Sequence, residues 1–116
     1  MGNTYPAVTI EMGRLGIRST RQEDEQVVTL RGELDMSSVE ALDDELRRIE
    51  PDPTVRRIIV DLSGLKFMDS TGLRAVLRID ARSRSDGNRV VLLRGPETVQ
   101  RVFRLTGTED RLPFID

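Results

Sequence analysis

Apolar and polar residues alternate from Leu15 to Thr20 and again from Gln26 to Arg31, on either side of the charged link Arg21 to Glu25. Period two around a polar break predicts an antiparallel hairpin. Ala7 to Met12 reads as a further edge strand, so residues 1–13 form an N-terminal extension or an edge strand. The period then lengthens: Val39, Leu42, Leu46 and Ile49 recur at helical spacing, with Ser37 and Glu40 matching a capping box and Pro51 and Pro53 ending the run. The charges of that helix run from Glu40, Asp43, Asp44 and Glu45 to Arg47 and Arg48, in the sense its dipole favours. Val55 to Leu62 is apolar at its centre, the pattern of a strand covered on both faces.

A second helix follows a loop, with Leu73, Val76, Leu77 and Ala81 inward and Arg74, Arg78 and Arg82 outward. Asp86-Gly87-Asn88 turns the chain into the apolar strand Arg89 to Leu93. Gly95-Pro96-Glu97 opens a third helix with Val99, Val102 and Phe103 inward, Gly107 stops it, and Leu112 to Ile115 supplies a last short strand. The predicted order is β-β-α-β-α-β-α-β in one domain, 1–116. Strands joined through single helices pair in parallel with right-handed crossovers, so this is an α/β chain with a mixed sheet and its helices mainly on one face. The strand ends that feed helices gather at one rim, which places residues 32–36 and 63–72 together.

Composition narrows the chemistry. The 116 residues contain neither cysteine nor histidine, which removes disulfides, thiolate nucleophiles, the usual zinc sets and a histidine base. A net charge of −2 and 3% aromatic content give no field or stacking platform for nucleic acid. The N-terminus lacks a signal-peptide pattern and no long apolar run occurs, so a cytoplasmic protein without a membrane partner is expected, with no cofactor or metal and monomeric when free.

On the rim, Asp69, Ser70, Thr71 and Gly72 stand together where the second helix begins. One reading is a cap, since serine or aspartate before a helix accepts a backbone N–H. Capping needs only one polar residue, however, and free N–H groups with the positive dipole end also favour a phosphate on Ser70 or Thr71. Gly72 weakens a helix start, which points to a close approach by another molecule. Gly32-Glu33-Leu34-Asp35 reads either as a polar turn or as an acidic neighbour of Asp69. A phosphate about 7 Å from one carboxylate, at an effective dielectric near 20, is repelled by a few kcal/mol, enough to change an affinity about a hundredfold.

Other carboxylates and cations carry less. Asp61 lacks the acidic doublet and later lysine of magnesium-dependent aspartate receivers, and reads as hydrogen-bonded to loop N–H groups. Lys66, the one lysine, stands near Ser70 without an oxyanion motif or nucleophile elbow, which argues against a serine-lysine hydrolase. Arg74, Arg78 and Arg82 form a solvated face or meet a partner's acids.

The run IIVDLSGLKFMDSTGLRAVL (58–77), with GELD (32–35) before it and VFRLTGTEDRLPFI (102–115) after it, resembles a STAS domain of the bacterial anti-sigma factor antagonists. The resemblance implies a STAS-type fold and a protein that catalyses nothing. It implies that the unmodified form binds an anti-sigma factor that is a serine kinase with a GHKL-type ATP site, freeing the sigma factor. Phosphorylation of Ser70 would break that complex and a PP2C-type phosphatase would restore it, with Asp35, Asp69, Ser70, Thr71, Gly72 and Arg74 at the binding surface. Such domains usually continue into a C-terminal helix, whereas Asp116 follows the last strand here. The same fold also serves as a constitutive adaptor docked on a transporter ATPase or a stress-signalling scaffold, which is the second reading.

Overall fold

The hairpin runs further than the alternation suggests. In the computed structural model, which describes residues 7–115, strands β2 (Leu15–Gln22) and β3 (Glu25–Leu34) pair antiparallel until Gln22 faces Glu25. The charged link thus contributes strand residues at both ends, and only Glu23 and Asp24 turn, with Glu23 at φ 57°. The expected edge strand is present as β1 (Val8–Met12), antiparallel to β2. Residues 1–6 lie outside the described residues.

From β3 onward every pairing is parallel: β4 (Arg57–Met68), β5 (Val90–Leu93) and β6 (Phe114–Ile115) follow in order, giving one sheet β1-β2-β3-β4-β5-β6. Each parallel step is made through one helix: α1 (Val39–Ile49), α2 (Ser70–Ser85) and α3 (Glu97–Leu105). Successive steps in one direction with right-handed crossovers place all three helices on the same face. The other face stays open. Ile58, Val60 and Leu62 of β4 are buried, whereas Ile59 and Asp61 between them are half-buried, so the expectation of a strand covered on both faces is corrected. Asp61 accepts the Ser63 N–H at 2.9 Å.

β4 also continues through Ser63 to Met68, where the sequence suggests a loop. Its pairing with β3 slips between Thr29 and Arg31 and again between Gly32 and Glu33, each time giving β4 an extra residue. These bulges stretch the buried spacing from Ile58, Val60, Leu62 to Leu65 and Met68, hiding the strand from a period-two pattern.

Two assignments on α2 change. Ala81 is exposed and Ile79 is buried, together with Leu73, Ala75 and Val76, because the inward stripe drifts around a helix of 16 residues. Arg82 is not on the solvated face. It lies between α1 and α2, with Nη1 2.9 Å from Asp43 Oδ1, at an angle short of a hydrogen bond, and Nε 3.2 Å from both Glu50 oxygens. Burial works against the Asp43 charge, but the Arg47 hydrogen bond and the Arg82 contact outweigh it and hold the carboxyl below its usual 3.8. The unfolded chain therefore takes up this proton at higher pH than the native state. The contribution is complete above the ordinary carboxylate value and is lost as pH falls through the native one. Arg82→Ala is expected to lower stability by about 1–2 kcal/mol at pH 7 in urea melts, with a smaller loss at pH 3.

Candidate functional site

β3 and β4 leave the sheet side by side. Leu34 pairs with Met68, so the next residues, Asp35 and Asp69, emerge on neighbouring strands about 5 Å apart in the sheet. The Leu34 carbonyl accepts the Asp69 N–H at 3.3 Å and ties the two exits together. The rim expected from the sequence is therefore formed, and it brings Asp35, Asp69, Ser70 and Thr71 together.

Asp69 is the cap of α2. Its backbone is extended, its Oδ1 accepts the Gly72 N–H at 3.0 Å, and its carbonyl accepts the Leu73 N–H at 3.0 Å. Ser70 is consequently the first helical residue and not the cap. Its side chain is exposed and makes no hydrogen bond among the described residues, while Thr71 beside it is half-buried. With Asp69 holding the third amide, the first N–H groups of the helix remain directed at the space around Ser70.

Gly72 serves a different purpose from the one its type suggests. It is buried, and a Cβ there would lie 2.6 Å from the Leu34 carbonyl oxygen and 2.7 Å from Met68 Cγ. The close approach is internal: the absent side chain lets α2 start directly against the ends of β3 and β4.

The loop after β3 is built on Asp35. Asp35 Oδ1 accepts the Ser37 hydroxyl at 2.6 Å and the Ser37 N–H at 3.0 Å, while its carbonyl accepts the N–H groups of Ser38 and Val39. Ser38 Oγ accepts the Asp35 N–H and donates to the Glu33 carbonyl, both at 3.0 Å. The Ser37–Glu40 capping box is thus not formed. Helix α1 begins at Val39, one residue too late for Ser37 to cap it, and the Ser37 hydroxyl turns to the carboxylate instead. The Ser37 hydroxyl is the main reason that the Asp35 carboxyl is held below its usual 3.8, with lesser help from the Ser37 N–H, Ser38 and Arg14 against some desolvation. Ser37→Ala is expected to raise that pKa, as read from the carboxyl chemical shift through an NMR titration, leaving Asp35 ionised at pH 7.

Two large apolar side chains are exposed on the segments that carry the acidic residues. Met36 is 78% exposed and Phe67 is 48% exposed, one beside Asp35 and the other two residues before Asp69. Their signal in the sequence is weak, because an apolar residue next to a turn usually points inward. Arg74, one turn beyond Ser70, is exposed and has no ion-pair partner among the described residues, as has Arg78. Lys66 is exposed, and its carbonyl accepts the Thr98 hydroxyl at 3.3 Å. The rim thus carries an exposed hydroxyl beside two carboxylates, with Arg74, Met36 and Phe67 exposed on the same segments of chain. Exposed apolar and charged side chains of this kind suit contact with another macromolecule. No helix among the described residues is long and apolar enough to cross a membrane.

Residues 17–115 match the family model described as "Mlab, STAS domain". The anti-sigma F factor antagonist of Lysinibacillus sphaericus is 36% identical over 81 residues, covering 70% of this chain and 69% of that protein. The anti-sigma-B factor antagonist of Staphylococcus aureus is 31% identical over 96 residues, covering 83% and 88%. The unphosphorylated anti-sigma factor antagonist SpoIIAA superposes with a TM-score of 0.63 at 27% identity, over 96% of this chain and 87% of that one. The phosphorylated form of SpoIIAA, from Bacillus, gives 0.62 at 25%, over 96% and 90%.

Proposed function

The chain belongs to the STAS domain family, in its anti-sigma factor antagonist group, and on that footing we propose that it antagonises an anti-sigma factor under the control of phosphorylation at Ser70. Unmodified, the edge around Ser70 docks on an anti-sigma factor that is itself a serine kinase with a GHKL-type ATP site, and the sigma factor is released. Met36 and Phe67 bury apolar surface in that contact, and Asp35, Asp69 and Arg74 fix its register. The kinase then transfers the γ-phosphoryl of ATP to the Ser70 oxygen, the hydroxyl proton leaving to a base on the kinase and ADP departing. A PP2C-type phosphatase hydrolyses the ester and resets the cycle. In this reading the chain is ligand and substrate and performs no catalysis of its own.

The observation that carries the proposal is the Ser70 hydroxyl: exposed, unbonded among the described residues, and set on the first turn of a 16-residue helix between two acidic exits. Thr71 is half-buried, which favours Ser70 as the acceptor. That SpoIIAA is known in both an unphosphorylated and a phosphorylated form supports a phosphorylation switch of this kind. Incubation with the cognate kinase and ATP, followed by peptide mass spectrometry, is expected to place one phosphate on Ser70. A label on another residue, or none, would overturn the proposal.

A further inference from the structure

A hollow of about 600 Å³ lies at the opposite end of the sheet from Ser70, under the β2–β3 turn. It has a geometric cause. Helix α1 has 11 residues and rises about 16 Å, whereas β3 has 10 and spans about 33 Å. The helix cannot cover the whole ribbon, and beyond Ile49 the core-facing side of the hairpin is left with a space in front of it.

The residues at its floor are polar where the rest of that face is apolar. Ser19 and Gln26 are 1% and 7% exposed, and Gln26 Nε2 donates to Ser19 Oγ at 2.7 Å. Among the described residues Gln26 Oε1 accepts no hydrogen bond and the Ser19 hydroxyl donates none, although both residues line the hollow. Both groups keep hydrogen-bonding capacity that a ligand can use. The walls are apolar: Val8, Ile49 and Val55. The charges at the rim are already balanced, Arg48 by a bidentate contact with Glu45 and Arg21 by Asp52 at 3.0 Å and Thr54 at 2.7 Å. An ionic ligand would gain little there.

We propose that this hollow is a binding site for a neutral small molecule that carries a carbonyl and an N–H side by side on an apolar ring, the chemistry of a lactam. The ligand N–H meets Gln26 Oε1, its carbonyl accepts from the Ser19 hydroxyl or the remaining Gln26 N–H, and the ring lies between Ile49 and Val55. The site is about 25 Å of β3 away from the rim, so it stands or falls independently of the Ser70 assignment.

The test is a ¹H–¹⁵N NMR titration of the full chain with δ-valerolactam, repeated with N-methyl-2-piperidone. Saturable shifts are expected at Ser19, the Gln26 side-chain amide, Ile49 and Val55, with none around Ser70. The N-methylated probe, lacking the donor, is expected to bind at least about fivefold more weakly. Gln26→Leu is expected to abolish that preference while the spectrum elsewhere stays native. Scattered or non-saturating shifts, equal affinity for the two probes, or an unchanged preference in Gln26→Leu would overturn the proposal. So would Overhauser contacts in the ligand-free protein from Ile49 or Val55 to residues ahead of Ala7, which would make the hollow a seat for the chain itself.

Discussion

Ser70→Asp is expected to weaken binding to the anti-sigma factor by a factor of ten or more, and full phosphorylation by about a hundredfold. Ser70→Ala is expected to bind at the unmodified affinity and to stay bound in the presence of ATP. The reason is local. A phosphoserine carries about −1.5 to −2 charges at neutral pH, and at residue 70 it joins Asp35 and Asp69 on one edge. At a spacing of about 7 Å and an effective dielectric near 20, a carboxylate that the partner brings to this edge opposes it by a few kcal/mol before salt screening. The open N–H groups of α2, the Arg74 guanidinium and water stabilise the phosphate in the free protein. They do not help in the complex, where the phosphate must also be stripped of water against Met36 and Phe67. Aspartate carries half the charge and a shorter side chain, hence the smaller effect. Isothermal titration calorimetry of the three forms against one partner gives the ratio directly. An adaptor that docks through another surface would leave all three affinities equal.

The second large effect is on stability. Gly32→Ala is expected to cost about 3 kcal/mol in denaturant melts, through positive-φ strain together with steric overlap. Gly32 has φ +94°, and a Cβ there would overlap the Arg14 carbonyl oxygen, which also accepts the Glu33 N–H at 3.0 Å. The overlap cannot relax by rotating a side chain, because the obstacle is backbone. Gly87→Ala is the control: its φ is +82°, but nothing lies within 4 Å of the added Cβ. That variant is expected to lose only about 1 kcal/mol, from backbone strain alone. Because Gly32 sits at the second register slip, its substitution also displaces Glu33 to Asp35. Partner affinity is therefore expected to fall for the Gly32 variant and not for the Gly87 one.

The elements that could be read from the chain are those whose burial follows one fixed period. Helix α1 shows this with Leu42, Leu46 and Ile49 inward, and helix α3 with Val99 and Phe103. Strand β4 does not, because two bulges shift its inward positions at Leu65 and Met68, and the sequence contains no mark of a slip that depends on a partner strand. The rim was legible as a place, since Asp35 and Asp69 follow strands that must be neighbours. The roles inside it were less so. Asp69, Ser70 and Ser37 are all capping types, and only the backbone shows that Asp69 caps, Ser37 binds Asp35 and Ser70 is left over. Gly72 could equally have faced outward or inward, and its contact with Leu34 depends on how α2 meets the sheet. Met36 and Phe67 carry no mark in the sequence, because exposure of an apolar residue is set by the turn that carries it, which no local pattern encodes.

The most direct test of the account is the affinity of the chain for its anti-sigma factor before and after enzymatic phosphorylation, measured on the same preparation in the same titration. A fall of about a hundredfold, reversed by a PP2C-type phosphatase, is the predicted result. Equal affinities with Ser70 fully phosphorylated would contradict it.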